Sequence, residues 1–344
     1  MSLQPLFEHH LPPLENALRA ALETPHPALV HHYGMMHYHM GWVDTTLSPE
    51  SGSSGKRLRP LLCLLVTEAT GGQAEQAMPA AVALELLHNF SLVHDDIQDN
   101  SATRRGRPAV WSVWGVPQAI NVGDGLFAVT HRILCGLAAR GVPPDRALAA
   151  IEAFDTACVA LTEGQFLDMS FEERLDVSLD EYLTMIGGKT AALISVACRL
   201  GAIIAGAPAG VTENYARFGQ YLGLAFQMLD DWLGVWGEES ETGKPVGDDI
   251  RERKKNYPVV YALEQLAAAG DDRLTRLYCQ RSMDESAVQA VLAILAQTGA
   301  QDRTLQAARV YHEQSLAALA ATDIQNQAQA WLNDLARTLV SRRA

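Results

Sequence analysis

Apolar residues recur at three- and four-residue spacing through most of the chain, the period of a helix that buries one face. Ala- and Leu-rich segments over 57–70, 76–99, 117–139, 143–169, 179–206, 212–236, 257–268, 285–298 and 301–340 carry this pattern. Between them stand stop signals: Gly71-Gly72, Gly141-Val142-Pro143-Pro144, Ala207-Pro208-Ala209-Gly210 and Ala269-Gly270-Asp271. Alternating runs of β-branched residues, the mark of strands, are nearly absent. The expected fold is all-α. Several segments are apolar on most sides and belong inside a single large helical bundle. The longest apolar stretch, Ala191 to Pro208, is broken by Arg199 and reads as a buried helix, not a membrane span.

No Pro/Gly/Ser-rich linker divides residues 41–344, which read as one large domain despite a length of 344 residues. Residues 1–40 differ. They hold His9, His10, His26, His31, His32, His37 and His39 beside Met35, Met36 and Met40. A metal site is conceivable there, but Met and aromatic neighbours without a fixed carboxylate partner favour a packed arm or lid.

Composition narrows the function. With 48% apolar and 19% charged residues the chain is an ordinary globular one. Its net charge of −13 repels nucleic acid and anionic membranes, so neither is an expected partner. Cys63, Cys135, Cys158, Cys198 and Cys279 form no CxxC pair and read as small buried hydrophobes in a reducing compartment. No signal peptide opens the sequence, which fits a cytoplasmic protein.

The chemistry is carried by two acidic clusters on apolar helices. In Glu85-Leu86-Leu87-His88-Asn89-Phe90-Ser91-Leu92-Val93-His94-Asp95-Asp96-Ile97-Gln98-Asp99, about 100° per residue places His88, Asp95 and Asp99 on one stripe. Asp95 and Asp99 are one turn apart, about 6 Å, with Asp96 beside them. The second cluster is Asp230-Asp231 in Phe226-Gln227-Met228-Leu229-Asp230-Asp231-Trp232-Leu233-Gly234. Like charges at helical spacing repel, and carboxylates among apolar residues are costly without a cation. Hard oxygen ligands on a rigid helix suit Mg²⁺, which completes its shell with water and phosphate.

The cationic residues name the anion. Only five of the 27 cationic residues are Lys, at positions 56, 189, 244, 254 and 255. They stand in motif-like settings such as Gly55-Lys56-Arg57-Leu58-Arg59-Pro60, Gly187-Gly188-Lys189-Thr190 and Gly243-Lys244-Pro245. A chain that otherwise uses Arg keeps a compact ammonium where a point charge meets phosphate oxygens. Arg104-Arg105-Gly106-Arg107 adds guanidinium groups just past Asp99. Gly188-Lys189-Thr190 imitates the end of a P-loop, but Leu183 stands where that motif needs Gly.

From about Tyr38 to Pro258, GKRxRP, HxxSLxHDDxxD, RRG, GKT, FQxxDD and GKPxGxD occur in that order. In this the chain resembles the trans-isoprenyl diphosphate synthases, the polyprenyl synthetase family. The resemblance implies an isoprenoid-synthase helical bundle with a central apolar cavity. It implies head-to-tail elongation of an allylic diphosphate (dimethylallyl, geranyl or farnesyl) by isopentenyl diphosphate, with three Mg²⁺ ions, in a homodimer. Asp95, Asp96 and Asp99 would hold two ions, and Asp230 with Asp231 the third. Arg104, Lys189, Lys244 and Lys254 would grip the allylic diphosphate. Lys56, Arg59, His88 and Arg105 would hold isopentenyl diphosphate, while Thr190 and Gln227 would face the developing cation. Phe90, with Ser91 and Leu87, would set chain length, and one aromatic barrier implies a product near geranylgeranyl diphosphate, within C15–C25.

Three positions depart from the family pattern: Gly234 for a third Asp, Trp111 for a His, and Arg253 for a Gly. Glu238 or water could stand in at the first. A class I terpene cyclase would use the same fold but leaves Lys56, Arg59, His88 and Arg105 unexplained. A regulatory subunit would not need both acidic clusters.

Overall fold

The computed structural model describes residues 3–50, 55, 57–239, 243, 245–280 and 282–340. Helices dominate them, and the only paired strands among the described residues are a two-residue hairpin, β1 (Thr103–Arg104) with β2 (Arg107–Pro108). The all-α expectation holds, and most helices fall where the apolar period placed them. Their order begins α1 (Gln4–Ala21), α2 (Val30–His39), α3 (Leu58–Ala69), α4 (Ala74–Gln98), α5 (Val110–Trp114), α6 (Val116–Leu134) and α7 (Pro144–Phe171). It continues α8 (Leu179–Ile186), α9 (Ala192–Ala205), α10 (Ala209–Trp236), α11 (Asp248–Arg251) and α12 (Tyr257–Ala268). It closes with α13 (Arg273–Tyr278), α14 (Glu285–Gln297), α15 (Ala300–Ala320) and α16 (Gln327–Val340).

Two expected helices are broken. The segment 179–206 is interrupted by a π-helical turn over Gly187–Ala191. The segment 301–340 divides where Asp323 takes a left-handed backbone, φ 55°. Backbone contacts separate the chain into two compact units: 1–154, 197–212 and 324–332 form the first, and 155–196, 213–323 and 333–344 the second.

In the first unit, α1 buries Leu6, His10, Leu14 and Leu18 on one stripe, so the arm is packed by its own amphipathic period. Leu61 to Val66 of α3 and Leu84, Leu86 and Leu87 of α4 are buried. The second half of α9 approaches α3 closely: a Cβ on Gly201 would lie 2.4 Å from the Cys63 carbonyl oxygen. Cys63, Cys158 and Cys198 are buried as expected, but Cys135 and Cys279 are exposed, because each stands on the solvent side of its helix end.

In the second unit, Phe171, Tyr182, Met185, Ile186, Leu224, Met228 and Tyr257 close one apolar cluster. Val235, Ile250, Val259, Leu263, Val288 and Val291 form another. Ser178 caps α8 in a reciprocal box with Glu181, and Asn256 caps α12, each satisfying backbone N–H groups that the first helical turn leaves open. Two helical stretches, Val116–Arg140 and Leu179–Ala205, are long and apolar enough to cross a membrane by length and composition alone. Each carries charged residues, Asp124 and Arg132 in one, Lys189 and Arg199 in the other.

Candidate active site

The first acidic cluster ends α4. Asp95 and Asp96 lie in its last turn and Asp99 is its C-cap. This is the negative end of the helix dipole, where carboxylates are disfavoured and a cation is most effective. The three acids do not share one environment. Asp99 is exposed and Asp95 half-buried, whereas Asp96 is only 1% exposed. Asp96 Oδ1 accepts from Arg104 Nε at 2.8 Å and Nη2 at 2.6 Å. Burial pushes the Asp96 carboxyl above its ordinary range, and the Arg104 contact offsets part of that.

The second cluster repeats the division. Asp230 is exposed and Asp231 is buried. Asp231 Oδ2 accepts from the Tyr182 hydroxyl at 2.5 Å and from the Tyr257 backbone N–H at 2.8 Å. Its Oδ1 accepts from Gln227 Nε2 at 2.9 Å, and Gln227 Oε1 accepts from the Thr190 hydroxyl at 2.8 Å. Burial lifts the Asp231 carboxyl to about 7 against those hydrogen bonds. In both pairs the first acid is the more accessible, exposed at Asp230 and half-buried at Asp95, and the second fastens the helix to its surroundings.

Lys189 sits in the π-helical turn, its Nζ 2.5 Å from Asp168 Oδ2 on α7. Glycine makes the approach possible: a Cβ on Gly164 would lie 2.2 Å from the Lys189 backbone nitrogen, and one on Gly188 2.4 Å from the Ala160 carbonyl oxygen. Lys254 lies 3.4 Å from Asp249 Oδ1 and 2.8 Å from Glu252 Oε2. Burial lowers its pKa, but these two carboxylates more than offset that and hold it above the ordinary value.

Behind the first acidic cluster is a cationic one. The Nε of Arg59, Nη1 of Arg105 and Nε2 of His39 are buried and make no hydrogen bond. Burial, reinforced by Arg105 and Arg104, pushes His39 down to about 3. Burial and then Arg59 and Arg105 hold His88 well below its ordinary value, so its ring is neutral at pH 7. Glu85, 3% exposed, accepts from Arg57 Nη1 at 2.7 Å and Asn89 Nδ2 at 2.9 Å, and Glu15 accepts from Arg57 Nε at 2.7 Å. A Cβ on Gly55 would lie 3.2 Å from Arg105 Nη2, which places the Gly55 backbone against the same group. Buried guanidinium donors without partners, Arg59 Nε and Arg105 Nη1, are a receptacle for a small anion with several oxygens.

Residues 41–295 match the family model described as Polyprenyl synthetase. The chain belongs to the polyprenyl synthetase family. It is 44% identical over 265 residues to a geranylgeranyl diphosphate synthase of Mycobacterium tuberculosis, covering 77% of this chain and 75% of that one. A (2E,6E)-farnesyl diphosphate synthase of Mycobacterium bovis is 40% identical over 311 residues, 89% of this chain and 85% of the relative. Among solved structures, a polyprenyl synthetase from Streptomyces coelicolor A3(2) superposes with a TM-score of 0.88 at 36% identity, covering 98% of this chain and all of that one.

Within the family pattern, the three departures have local causes. At Gly234, a Cβ would stand 2.1 Å from Asp249 Oδ2, so the Asp249 carboxylate fills the space a third Asp would enter. Glu238 is exposed at the helix end. Arg253 keeps the left-handed backbone that a Gly would favour, φ 57°, and its guanidinium donates to the Gln280 carbonyl. Trp111 Nε1 donates to the Ser101 carbonyl at 2.8 Å, tying down the chain that leaves the first cluster. Lys56 and Lys244 lie outside the described residues.

Of the chain-length candidates, Leu87 is fully buried and Ser91 Oγ donates to the His88 carbonyl. The Phe90 ring packs 4.8 Å from His94 and 4.9 Å from Phe127. Phe127 meets His131, and His131 meets Phe154. Phe90 thus heads an aromatic column. Residues not singled out in the sequence but placed in these sites are His39, Glu85, Asp168, Tyr182, Asp249 and Tyr257. A lone acid or tyrosine inside an apolar helix gives no signal of its own, and only the His-rich run pointed toward His39.

Proposed function

We propose that this protein condenses isopentenyl diphosphate with an allylic diphosphate, extending the prenyl chain by five carbons and releasing diphosphate. The observation that carries the reading is the set of buried, unpartnered guanidinium donors of Arg59 and Arg105 behind the Asp95–Asp99 cluster, in a chain of the polyprenyl synthetase family that carries a second acid pair at Asp230-Asp231. Outward carboxylates on rigid helices fit Mg²⁺, a hard ion that keeps several waters and binds substrate phosphate. Asp95, Asp99 and Asp230 would hold it, three ions in all. When bound, the metal would neutralise charge on the leaving diphosphate.

The chain's own groups do the rest. The allylic C–O bond breaks and its electron pair leaves with the diphosphate, whose growing charge Lys189, Lys244 and Lys254 meet with fixed ammonium groups. Arg104 contributes its guanidinium while clasping Asp96. Arg59, Arg105, Lys56 and neutral His88 hold isopentenyl diphosphate, whose double bond supplies electrons for the new C–C bond. The proton lost from the resulting cation goes to the released diphosphate, so no protein nucleophile is needed. Thr190 and Gln227 orient dipoles, and an apolar wall keeps water from the cation. Phe90 acts as a floor, giving a product near geranylgeranyl diphosphate. The enzyme works in the cytoplasm as a homodimer.

Incubation with Mg²⁺, isopentenyl diphosphate and each allylic primer tests this. Elongated prenyl diphosphate is expected. Diphosphate release from one allylic substrate alone would indicate a cyclase, and no turnover with any primer a regulatory subunit. Phe90→Ala should lengthen the product, read by chromatography of the dephosphorylated alcohols, and an unchanged profile would reduce Phe90 to packing.

A further inference from the structure

Sequence alone fixes no carboxylate partner for the histidine-rich arm, but the fold supplies one from α3. His9 and His10 of α1 meet Glu68 of α3, and one ligand atom from each lies within 4.8 Å of the other two. His10 is 2% exposed, yet its Nε2 makes no hydrogen bond. That atom stands 3.4 Å from Glu68 Oε2, too long for an ordinary hydrogen bond. Two ligands held at about 2.0–2.2 Å by a tetrahedral ion lie about 3.4 Å apart. The His10 ring is fixed by packing, edge-on to His9 with centroids 4.7 Å apart and to Trp331 at 6.3 Å. His9 is exposed and Glu68 one-quarter exposed, so solvent can reach the site and supply a fourth ligand.

We propose that His9, His10 and Glu68 form a Zn²⁺ site that clamps α1 to α3, separate from both aspartate clusters. Two imidazoles and one carboxylate suit a borderline ion such as Zn²⁺ and are poor ligands for Mg²⁺. The bonds would join residues 59 positions apart, so an ion bound only to the folded chain raises its stability.

The test uses the full-length protein, stripped with chelator and kept in excess Mg²⁺ to saturate the aspartate clusters. Zn²⁺ alone is titrated by calorimetry, and Co²⁺ is added separately to read ligand-field bands in the visible spectrum. One Zn²⁺ equivalent is expected, with a rise in Tm and tetrahedral Co²⁺ bands. Loss of even an outer partner of a metal ligand costs roughly 10–100-fold in affinity. Glu68→Gln and His9→Ala, both at accessible positions, should therefore weaken Zn²⁺ binding at least about tenfold and abolish the Tm rise. Their turnover in Mg²⁺ should stay at the parent value. His10→Gln should act likewise, but the two accessible variants decide the matter if it fails to fold. Equal Zn²⁺ affinity and equal Tm rise in parent, Glu68→Gln and His9→Ala would overturn the proposal, as would no Zn²⁺ binding by the parent.

Discussion

Asp230 and Asp231 are adjacent in sequence, one exposed and one buried, and half-buried Asp95 beside buried Asp96 shows a weaker form of the contrast. Their substitutions should therefore fail differently. Asp95→Ala and Asp230→Ala should cut turnover by orders of magnitude while leaving the thermal transition in place, because relieving like-charge crowding does not weaken a helix. Asp231→Ala strips acceptors from Tyr182, the Tyr257 N–H and Gln227. It should cost at least about 1–3 kcal/mol of stability, the range for a buried donor left unsatisfied, measured by denaturant unfolding. Sequence periodicity could not draw this distinction: the two residues of each pair are about 100° apart on helices that are apolar on most sides, and which one turns inward depends on Arg104, Tyr182 and Tyr257, which come from other elements.

The cationic cluster makes a pH prediction. His39 is held at about 3, chiefly by burial, whereas an unfolded histidine titrates near 6.5. Between those values the unfolded chain binds the extra proton, so stability is full above about pH 6.5 and falls as the solution is acidified. The slope is at most about 1.4 kcal/mol per pH unit for each such histidine. His88 is shifted the same way. His39→Gln should flatten part of the loss between pH 6.5 and 5, followed by urea midpoints; an unchanged pH profile would contradict the burial of a neutral ring.

At the level of elements, the departures from the family pattern are compensated locally. Arg253 adopts φ 57°, a backbone that costs a side-chain-bearing residue about 1–2 kcal/mol. Arg253→Gly should recover up to about 1 kcal/mol, less what the guanidinium gains at Gln280, as read by a Tm shift. Gly234→Ala would drive a methyl into the Asp249 carboxylate and should destabilise by about 1–3 kcal/mol. Most helix bounds were legible because the apolar period and Gly/Pro stops coincide, as at α3, α4 and α12. The Leu179–Ala205 interruption was not legible: Gly188 there serves close approach to α7, and Gly187 opens a π-helical turn, neither of which leaves a break in hydrophobicity. Helix α1 was also hidden, because Pro12 and Pro13 lie inside it and proline normally argues against a helix.

At the scale of the whole molecule, the expected homodimer has an unspent apolar stripe to use. Along α7, Leu148, Val159 and Phe166 are 67%, 57% and 71% exposed, and separations of eleven and seven residues return to one side of a helix. Phe166→Glu should shift sedimentation from dimer toward monomer; a parent protein that sediments as a monomer would contradict the dimer. Against a net charge of −13, the buried Arg59 and Arg105 donors are a local positive contrast, and such a contrast steers a small anion more than a surface average does.

Anomalous diffraction from crystals grown with Mn²⁺ and an unreactive prenyl thiodiphosphate tests the central claim most directly. Metal peaks are expected within coordinating distance of Asp95, Asp99 and Asp230, with Asp96 still on Arg104 and Asp231 still on Tyr182. Peaks coordinated by Asp96 or Asp231, or none at the three outward acids, would contradict it.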